Sequence, residues 1–370
     1  MAFFHLSFQE FLAAERFGRK LDGTAQFVDT IVERSSSANW RPTLRFLFAR
    51  RIAERGIEDG GLPLLAKLLS RISPANIRQT TGLASVIVDG LEMLLDRGTV
   101  LQPDIREPMI QICLAAINQE IDNRPRFELA LMLGRIGDPR VPESLDDPDA
   151  WVTVPAGSYI YGPDNQKIRI KQSFELSKFP VTNAQFALFV QDGYQNESLW
   201  HPAGWKWRTS NNATQPAHWD KSKWNGATCP VVGVSWWEAD AFCRWAGVRL
   251  PAEREWEAAA RGPKGLVYPW DNKWKDGICN TSETALERTS PVGIFPQSGS
   301  FCGAHDMAGN VWEWCVDLYD PTKQKDHNAG RVLCGGSWIN DAVNCRSSIR
   351  FDDPPDGRSV NVGFRVARTL

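Results

Sequence analysis

The sequence has little excess charge, no block of like charges and no long apolar run. Its 370 residues carry 42 Lys and Arg against 44 Asp and Glu, which gives a formal net charge of −2. Phosphate backbones and anionic lipid surfaces are held by concentrated positive charge, so we expect neither nucleic acid nor a membrane as a partner. No apolar run reaches the roughly 18 residues that a membrane-spanning helix needs. The first residues also lack the basic start of a secretory signal, and we expect a cytoplasmic protein.

Motifs for metal clusters and nucleotides are absent as well. The eight cysteines include no Cys-x-x-Cys pair and no Cys/His cluster with the spacing of a zinc site. The sequence has no Gly-x-x-x-x-Gly-Lys-Ser/Thr loop, which excludes an ATPase of that type within it. In a cytoplasmic protein, scattered cysteines are mostly small buried apolar residues.

Tryptophan divides the chain into two parts. Only Trp40 lies in the first 150 residues, and the remaining tryptophans lie between Trp151 and Trp338. In the first part apolar residues recur with helical spacing, most clearly at 109–121 and 126–136. Composition and turn residues therefore predict an α-helical domain at 1–140, a linker rich in Gly, Pro and Asp at 141–150, and a mixed domain at 151–370.

The second part consists of short runs rich in Trp, Val and Tyr, separated by turn residues. Two helices are nevertheless predicted there. Ser235 and Glu238 form a capping box that opens a helix reaching about Ala246. A second helix starts within 251–257, where a proline comes early and acids occupy the first turn, and Gly262 follows it.

Seven short motifs follow one another in the second part. They are Val-Pro-Ala-Gly at 154–157, Pro-Val-Thr-Asn at 180–183, Pro-Val-Val-Gly-Val-Ser-Trp at 230–236, Leu-Pro-Ala-Glu-Arg-Glu-Trp-Glu at 250–257, Asp-Met-Ala-Gly-Asn-Val-Trp-Glu-Trp at 306–314, Gly-Gly-Ser-Trp at 335–338 and Gly-Phe-Arg at 363–365. Their order resembles the formylglycine-generating enzyme (sulfatase-modifying factor) family. The resemblance implies an α+β fold, with a C-type-lectin-like C-terminal domain that has much irregular loop, preceded by an all-α N-terminal domain. Fold does not establish function.

The enzymes of this family use two cysteines, shortly after the Gly-Gly-Ser-Trp motif, to bind copper and activate oxygen. Asn340 stands at the position of the first cysteine, and the insertion that carries the second is missing. An amide cannot replace a thiolate as a copper(I) ligand, so we expect no catalytic residue, and we interpret Cys345 as a core residue. The related ergothioneine-type oxidases need an iron site of three histidines, and no such set is formed by His5, His201, His218, His305 and His327.

The resemblance also implies structural calcium, a cation that prefers oxygen ligands. Such an ion would tie together loops whose backbone groups lack partner strands. The alternative for the first site is that its acids only cap turns. The first expected ligand set is Asp306, the carbonyls of Gly309 and Val311, and Glu313; the second is Asn280, the carbonyl of Thr281, and Glu283.

Residues 339–361, which we call the variable segment, have an unusual composition. They include no Lys, Glu, Gln, Met or Trp, the five amino acids that no codon of the form N-N-C encodes. Such codons arise when the adenines of AAC, an Asn codon, are mutated. The pattern resembles the variable region of diversity-generating retroelement proteins, which display diversity at the C-terminus of this fold. The alternative is an ordinary loop of a non-enzymatic family member that has drifted.

The resemblance implies a ligand-binding surface supported by a constant frame. Apolar side chains of the surface would supply contact area, and its Asp and Asn side chains would supply directional acceptors. The expected ligand-binding residues are Ile339, Asn340, Asp341, Val343, Asn344, Ile349, Phe351, Asp352, Asp353, Gly357, Ser359, Val360 and Asn361. The expected constant frame is 335–338, Arg346, Ser347, Arg350, Pro355, Arg358 and 363–365.

The sequence Phe-His-Leu-Ser-Phe-Gln-Glu-Phe-Leu-Ala-Ala at 4–14 resembles the helical segment that follows the ATPase core in NACHT-type signalling NTPases. Because the chain has no phosphate loop, it is either a separately encoded tail of such a protein or a fragment of one. The resemblance implies an NTPase as a partner of the helical domain, with the lectin-like domain as sensor.

Three functions compete for this chain. It is a non-catalytic module that binds a protein or another macromolecule, a copper oxidase of formylglycine type or other enzyme of the family, or a structural sensor domain of a NACHT-type system. The missing cysteine pair decides against the enzyme, because the chemistry lies in those thiolates. We therefore predict a recognition protein that displays a diversified C-terminal surface.

Overall fold

The computed structural model describes residues 10, 13, 14, 16 and 25–370. The chain divides into two compact units, Met1–Asp138 and Pro139–Leu370. The motif at 4–14, including His5, lies outside the described residues except at positions 10, 13 and 14. In the described part of the chain, no helix is long and apolar enough to cross a membrane.

The first unit is helical over its described residues. Its helices are α1 (Ala25–Ser35), α2 (Arg41–Gly56), α3 (Leu62–Leu69), α4 (Thr81–Leu95), α5 (Pro103–Asn118) and α6 (Asn123–Ile136). Of the 15 residues of α4, most are buried, because α4 packs against α2, α3 and α6. The amphipathic stretches predicted at 109–121 and 126–136 lie largely in α5 and α6, which confirms that they are helical.

One arginine connects three helices of this unit. The guanidinium of Arg41 on α2 lies 2.8 and 2.9 Å from the two carboxylate oxygens of Asp89 on α4, and 2.8 Å from Glu128 on α6. Asp89 is buried, and a buried carboxylate without this partner would be strongly destabilising. A Cβ atom at the neighbouring Gly90 would lie 2.8 Å from the ring of Phe48. Glycine therefore allows α4 to approach α2.

The second unit combines helices, short strands and long irregular loops, which confirms the α+β class. Its helices are α7 (Asn183–Asp192), α8 (Pro202–Ser210), α9 (Trp236–Trp245) and α10 (Glu253–Arg261). Its strands are β1 (Trp151–Val154), β2 (Gly157–Tyr161), β3 (Gln166–Ile170), β4 (Phe174–Ser177), β5 (Trp312–Leu318), β6 (Arg331–Cys334), β7 (Arg350–Asp353), β8 (Val362–Gly363) and β9 (Ala367–Thr369).

The strands form three small sheets. Their orders are β1-β4-β9, β2-β3 and β7-β6-β5-β8. In the four-stranded sheet, β5 is antiparallel to β6 and parallel to β8. Strand β7 pairs only with β6 and places Phe351 opposite Leu333. The variable segment therefore contributes an edge strand to this sheet.

Both helices predicted in the second unit are confirmed. Helix α9 begins after the capping box: the Oγ atom of Ser235 accepts from the peptide N–H of Glu238, and the Glu238 carboxylate accepts from the N–H of Ser235 at 2.7 Å. Helix α10 begins at Glu253 and ends before Gly262, whose φ of +63° stops it.

The aromatic core of this unit lies against α7, α9 and the four-stranded sheet. Phe186 stacks on Phe242 with ring centroids 5.3 Å apart, and Trp314 and Phe364 are buried beside them. Residues 335–337 and 362–367 are buried as well. The variable segment is thus anchored in the core at both ends, by residues 335–337 before it and by residues 362–367 after it.

Candidate ligand-binding surface

The variable segment presents its predicted ligand-binding residues to solvent. Of the thirteen positions, seven are exposed, six are half-buried and none is buried. Several frame residues lie inside: Ser337, Ser347, Pro355 and Phe364 are all buried. Exposure separates the two predicted sets in part, because Trp338, Arg350 and Arg358 are half-buried and Arg346 is exposed.

Three of the exposed residues are large and apolar. Ile339, Val343 and Phe351 expose 51%, 50% and 57% of their surface. The ring of Phe351 also contacts Trp312 on β5 of the same sheet, with centroids 5.9 Å apart. Full burial of such a side chain is worth about 1.5–3 kcal/mol, so these residues can contribute substantially to binding another molecule.

The first loop of the segment is held by contacts to its backbone. The hydroxyl of Tyr268 donates to the carbonyl of Ala342 at 3.2 Å, and the N–H of Ser347 donates to the carbonyl of Val267 at 2.9 Å. Gly336 has a φ of +73°, and an added Cβ would lie 2.6 Å from the Sγ atom of Cys345. These contacts do not use side chains at the predicted ligand-binding positions, but Asn340 and Asp341 add side-chain hydrogen bonds within the loop, to Ser337 and Asn344.

A second attachment is made by Arg350 on β7. Its Nε atom lies 3.3 Å from the carboxylate of Glu253, and its guanidinium stacks over the ring of Tyr319 at 4.3 Å. The side chain of Arg350 is thereby directed away from the thirteen predicted ligand-binding residues, which we call the displayed residues. Its backbone pairs with Cys334 on β6.

The third attachment is the ion pair of Arg358 with the capping residue Glu238. Arg358 Nη2 lies 2.9 Å from Glu238 Oε1, and the hydroxyl of Tyr194 donates to the same oxygen at 2.6 Å. Arg358 also donates to the carbonyls of Gly233 and Gln215. Burial raises the pKa of Glu238, and the opposite charge of Arg358 counteracts that rise. The sequence identifies Glu238 as a helix cap but gives no sign of its partner.

The charges left at the surface are mainly acidic, because Arg350 and Arg358 are directed inward. Asp341, Asp352 and Asp356 are exposed, and Asp353 is half-buried. Hydrogen bonds from Asn344 lower the pKa of Asp341. Burial, followed by repulsion from Asp352 and Asp356, raises the pKa of Asp353. The surface therefore combines apolar contact area with carboxylate acceptors.

Two predicted ligand-binding residues need a correction. The Oδ1 atom of Asn340 accepts from the N–H of Ser337 at 3.0 Å and from its hydroxyl at 2.6 Å, so this side chain closes a turn. Ile349 is half-buried and packs on the aromatic core. Both act in part as frame. Conversely, the predicted frame residue Arg346 is exposed.

The variable segment contains one thiol, that of Cys345. Cys345 is buried, as predicted, and burial raises its pKa to about 12. Cys279 is also buried, and burial raises its pKa as well. A thiolate is the form that binds copper, and burial disfavours it here. The side chain at position 340, where the family's first cysteine stands, is engaged with Ser337.

The first expected calcium site is occupied by protein groups. Arg365 donates from Nε to Glu313 Oε2 at 2.6 Å and from Nη2 to Oε1 at 2.8 Å, and Trp256 Nε1 donates to Oε2 at 2.5 Å. Asp306 is buried and accepts from the N–H of Gly293 at 2.7 Å. In this arrangement the guanidinium of Arg365 neutralises the carboxylate of Glu313.

The groups of the second expected set are also bound by protein side chains. The Thr284 hydroxyl lies 3.0 Å from Asn280 Oδ1 and 2.7 Å from the carbonyl of Thr281. Glu283 is exposed and accepts from Trp274 Nε1. Among the described residues, no group of three or more His, Cys, Asp or Glu side chains is placed to hold a metal ion. Both sets use carbonyl ligands in addition, and calcium stays a prediction of the resemblance.

Comparison with known proteins relates the second unit to one family. A family profile described as the sulfatase-modifying factor enzyme 1-like domain matches residues 139–370. Inactive C-alpha-formylglycine-generating enzyme 2 of Mus musculus is 34% identical over 289 residues, which cover 64% of this chain and 91% of that protein. Hercynine oxygenase of Mycolicibacterium thermoresistibile is 35% identical over 226 residues, or 53% of this chain and 50% of that protein. The solved structure of Treponema denticola variable protein 1 has a TM-score of 0.45 at 22% identity and covers 60% of this chain and 95% of its own.

Proposed function

The chain belongs to the family of the sulfatase-modifying factor enzyme 1-like domain, and we propose that it is a non-catalytic recognition protein whose variable segment binds the ligand. The observation that carries the proposal is the division of residues 335–365 into displayed and enclosed positions. Side chains at the thirteen predicted positions are at least partly exposed, whereas the frame is largely buried or tied to the core. A surface of this kind tolerates exchange of its side chains while the fold is kept.

The chemistry of the surface favours a protein or another macromolecule as ligand. Ile339, Val343 and Phe351 offer separate apolar contacts, and the Asp and Asn side chains offer acceptors around them. Protein interfaces combine apolar anchors and polar rims in this way.

We further propose that the segment is diversified by a retroelement. Its lack of Lys, Glu, Gln, Met and Trp supports mutation of adenines in Asn codons. A template repeat with Asn codons at the displayed positions, and a reverse transcriptase, should then lie beside the gene. A genomic neighbourhood without both would contradict this origin.

Sequencing the gene in close strains tests diversification directly. Residues 321–328 supply a matched control, because every one of these positions is exposed but none belongs to the variable segment. We expect amino-acid changes to concentrate at the displayed positions and to follow adenine substitutions. Similar variation in both loops would instead indicate ordinary drift.

A selection experiment tests the capacity to bind. One library encodes the predicted ligand-binding positions other than 340 and 349 with N-N-C codons, and a control library encodes 321–328 in the same way. We expect the first library to yield specific binders of a chosen test protein that stay folded, and the control library to yield far fewer. Equal yields would show that the variable segment has no special role.

The competing function is oxidation of formylglycine type. The relatives include one named as inactive and one named as an oxygenase. The absence of the cysteine pair and the burial of Cys345 favour the inactive state. An assay for copper-dependent conversion of a Cys-x-Pro-x-Arg peptide decides the matter, since turnover would establish the enzyme.

For the helical unit we propose a signalling NTPase as partner, on the resemblance at 4–14. Co-purification of the full chain from its native host is the test. Recovery of an NTPase supports the proposal, and recovery of the chain without one contradicts it. This outcome leaves the proposed role of the variable segment unaffected.

A further inference from the structure

A cavity of about 290 Å³ lies on the second unit, away from the variable segment. The turn between β3 and β4, the start of α10 and strand β9 surround it. None of its lining residues belongs to 339–361. The polar residues used below are Arg169, Lys171, Ser173, Arg249, Arg254 and Glu255.

The charge around this cavity is unbalanced. Four of its lining side chains are cationic, and its one carboxylate belongs to Glu255. Both oxygens of Glu255 are bound by Arg249, at 2.6 and 2.9 Å, and one of them also accepts from the N–H of Ala252. The negative charge of Glu255 therefore neutralises the positive charge of Arg249 and of no other cation that lines the cavity.

The other three cations have no such partner. Among the described residues, the side chains of Arg169, Lys171 and Arg254 are exposed and make no ion pair or hydrogen bond. Arg169 lies near the end of β3, Lys171 directly follows that strand, and Arg254 lies in the first turn of α10. Like charges brought together from two elements repel one another, and an anion between them would relieve that repulsion.

A neutral donor adds to the positive charge. The Oγ atom of Ser173 accepts from the N–H of Ala156 at 2.9 Å, which leaves its own proton available. Arg254 lies in the first turn of α10, where the helix dipole favours anions. The N–H groups of Ala252 and Glu253 before it are already bound by Glu255 and Asp317.

We infer that this cavity binds a phosphate group. Three uncompensated positive charges favour a dianion over a single carboxylate, and arginine forks suit the paired oxygens of a phosphate. The volume is suited to the phosphate of a small monoester or of a phosphorylated side chain. This site is separate from the proposed recognition surface and does not depend on it.

Calorimetric titration of the full chain tests the inference. The ligands are inorganic phosphate, glycerol phosphate and a phosphoserine peptide, with acetate as the single-charge control. We expect phosphate to bind at least tenfold more tightly than acetate, and R169Q and R254Q each to weaken phosphate binding at least tenfold. Lys167→Gln is the matched control, because Lys167 lies on the same strand as Arg169 and does not line the cavity. The affinity of this variant for phosphate should stay within twofold of that of the unsubstituted protein.

The remaining outcomes are equally decisive. Tighter binding of the peptide than of glycerol phosphate assigns the site to phosphoproteins, and equal affinity assigns it to small phosphate monoesters; both support the inference. Equal weakening by K167Q and R254Q would mean diffuse attraction with an adventitious ion only, which overturns it. No detectable phosphate binding at about 10 mM by the folded chain also overturns it. Circular dichroism of each variant verifies that the fold is intact.

Discussion

Arg358 Nη2 lies 2.9 Å from Glu238 Oε1, although 120 residues separate the two in the chain. Glu238 also closes the capping box of α9, so one carboxylate starts a helix and anchors the variable segment. Its side chain is fully buried and that of Arg358 is largely so. The position of the displayed loops thus depends on a charge pair inside the domain.

Arg358→Met should therefore destabilise the protein. It leaves Glu238 buried without its cation, and breaking one side of such a pair costs about 3–5 kcal/mol. Denaturant unfolding measures the loss. Arg346→Met is the control, because Arg346 is exposed, and we expect a change below about 0.5 kcal/mol. Similar effects of the two substitutions would contradict the anchoring role.

The loss caused by Arg358→Met should also depend on pH. Arg358 lowers the pKa of Glu238 against the effect of burial, so removing it raises that pKa further. A carboxyl group with a higher pKa in the folded than in the unfolded chain binds protons preferentially when folded, and folding gains stability as the pH falls through that range. The variant should thus approach the original protein in stability between pH 8 and pH 5. A gap that widens on acidification would contradict this.

Displayed and frame positions should respond differently to substitution. Val343→Asn and Asp352→Asn alter exposed side chains, and we expect each to change the free energy of unfolding by less than about 0.5 kcal/mol. Gly336→Ala places a Cβ 2.6 Å from Cys345 Sγ at a φ of +73°. Strain and overpacking together should cost about 3 kcal/mol. Denaturation of the three variants measures the contrast, and equal losses would show that the segment has no separate frame.

Thiol reactivity should reflect burial. At pH 8 a thiol with a pKa of about 12 is almost entirely protonated, so Cys345 should not react with a thiol reagent in the folded protein. Cys302 is only half-buried and serves as the internal control. We expect labelling of Cys302 before unfolding and of all eight cysteines after it. Rapid native labelling of Cys345, located by peptide mass mapping, would reopen the question of copper binding.

Calcium should have little effect on thermal stability. A resident ion at a hundred times its dissociation constant would add about 2.7 kcal/mol, but Arg365 already neutralises Glu313. We therefore expect the Tm to change by less than about 1 °C on adding calcium or a chelator. A saturable rise in Tm, absent in D306N, would show that calcium displaces the guanidinium and that the expected ligand set is correct.

Local sequence signals predicted much of the second unit. The Ser235 and Glu238 box fixes the start of α9, because its two hydrogen bonds involve residues only three apart. Gly262 likewise ends α10 through its own backbone conformation. The sequence also predicts which residues flank the variable segment in the core, because the motifs at 335–338 and 363–365 lie on either side of it and are largely buried.

Long-range contacts were not predictable in the same way. Arg365 and Glu313 are 52 residues apart, and a carboxylate beside a turn serves equally well as a metal ligand or an ion-pair partner. Asn340 raises a similar ambiguity, since an amide can close a turn or face a ligand. Only the direction of the side chain distinguishes these roles, and composition does not determine it.

Under the proposed diversification, strand β7 would limit which variants of the segment the protein can use. It lies at the edge of its sheet, and Asp352 and Asp353 stand on it. Negative charges on an edge oppose pairing between molecules, whereas N-N-C codons also permit Ile, Val and Phe at these positions. Variants with apolar residues at both positions would present an apolar, unpaired edge strand and would self-associate through it. We therefore expect selection against such variants, even where they bind a target more tightly.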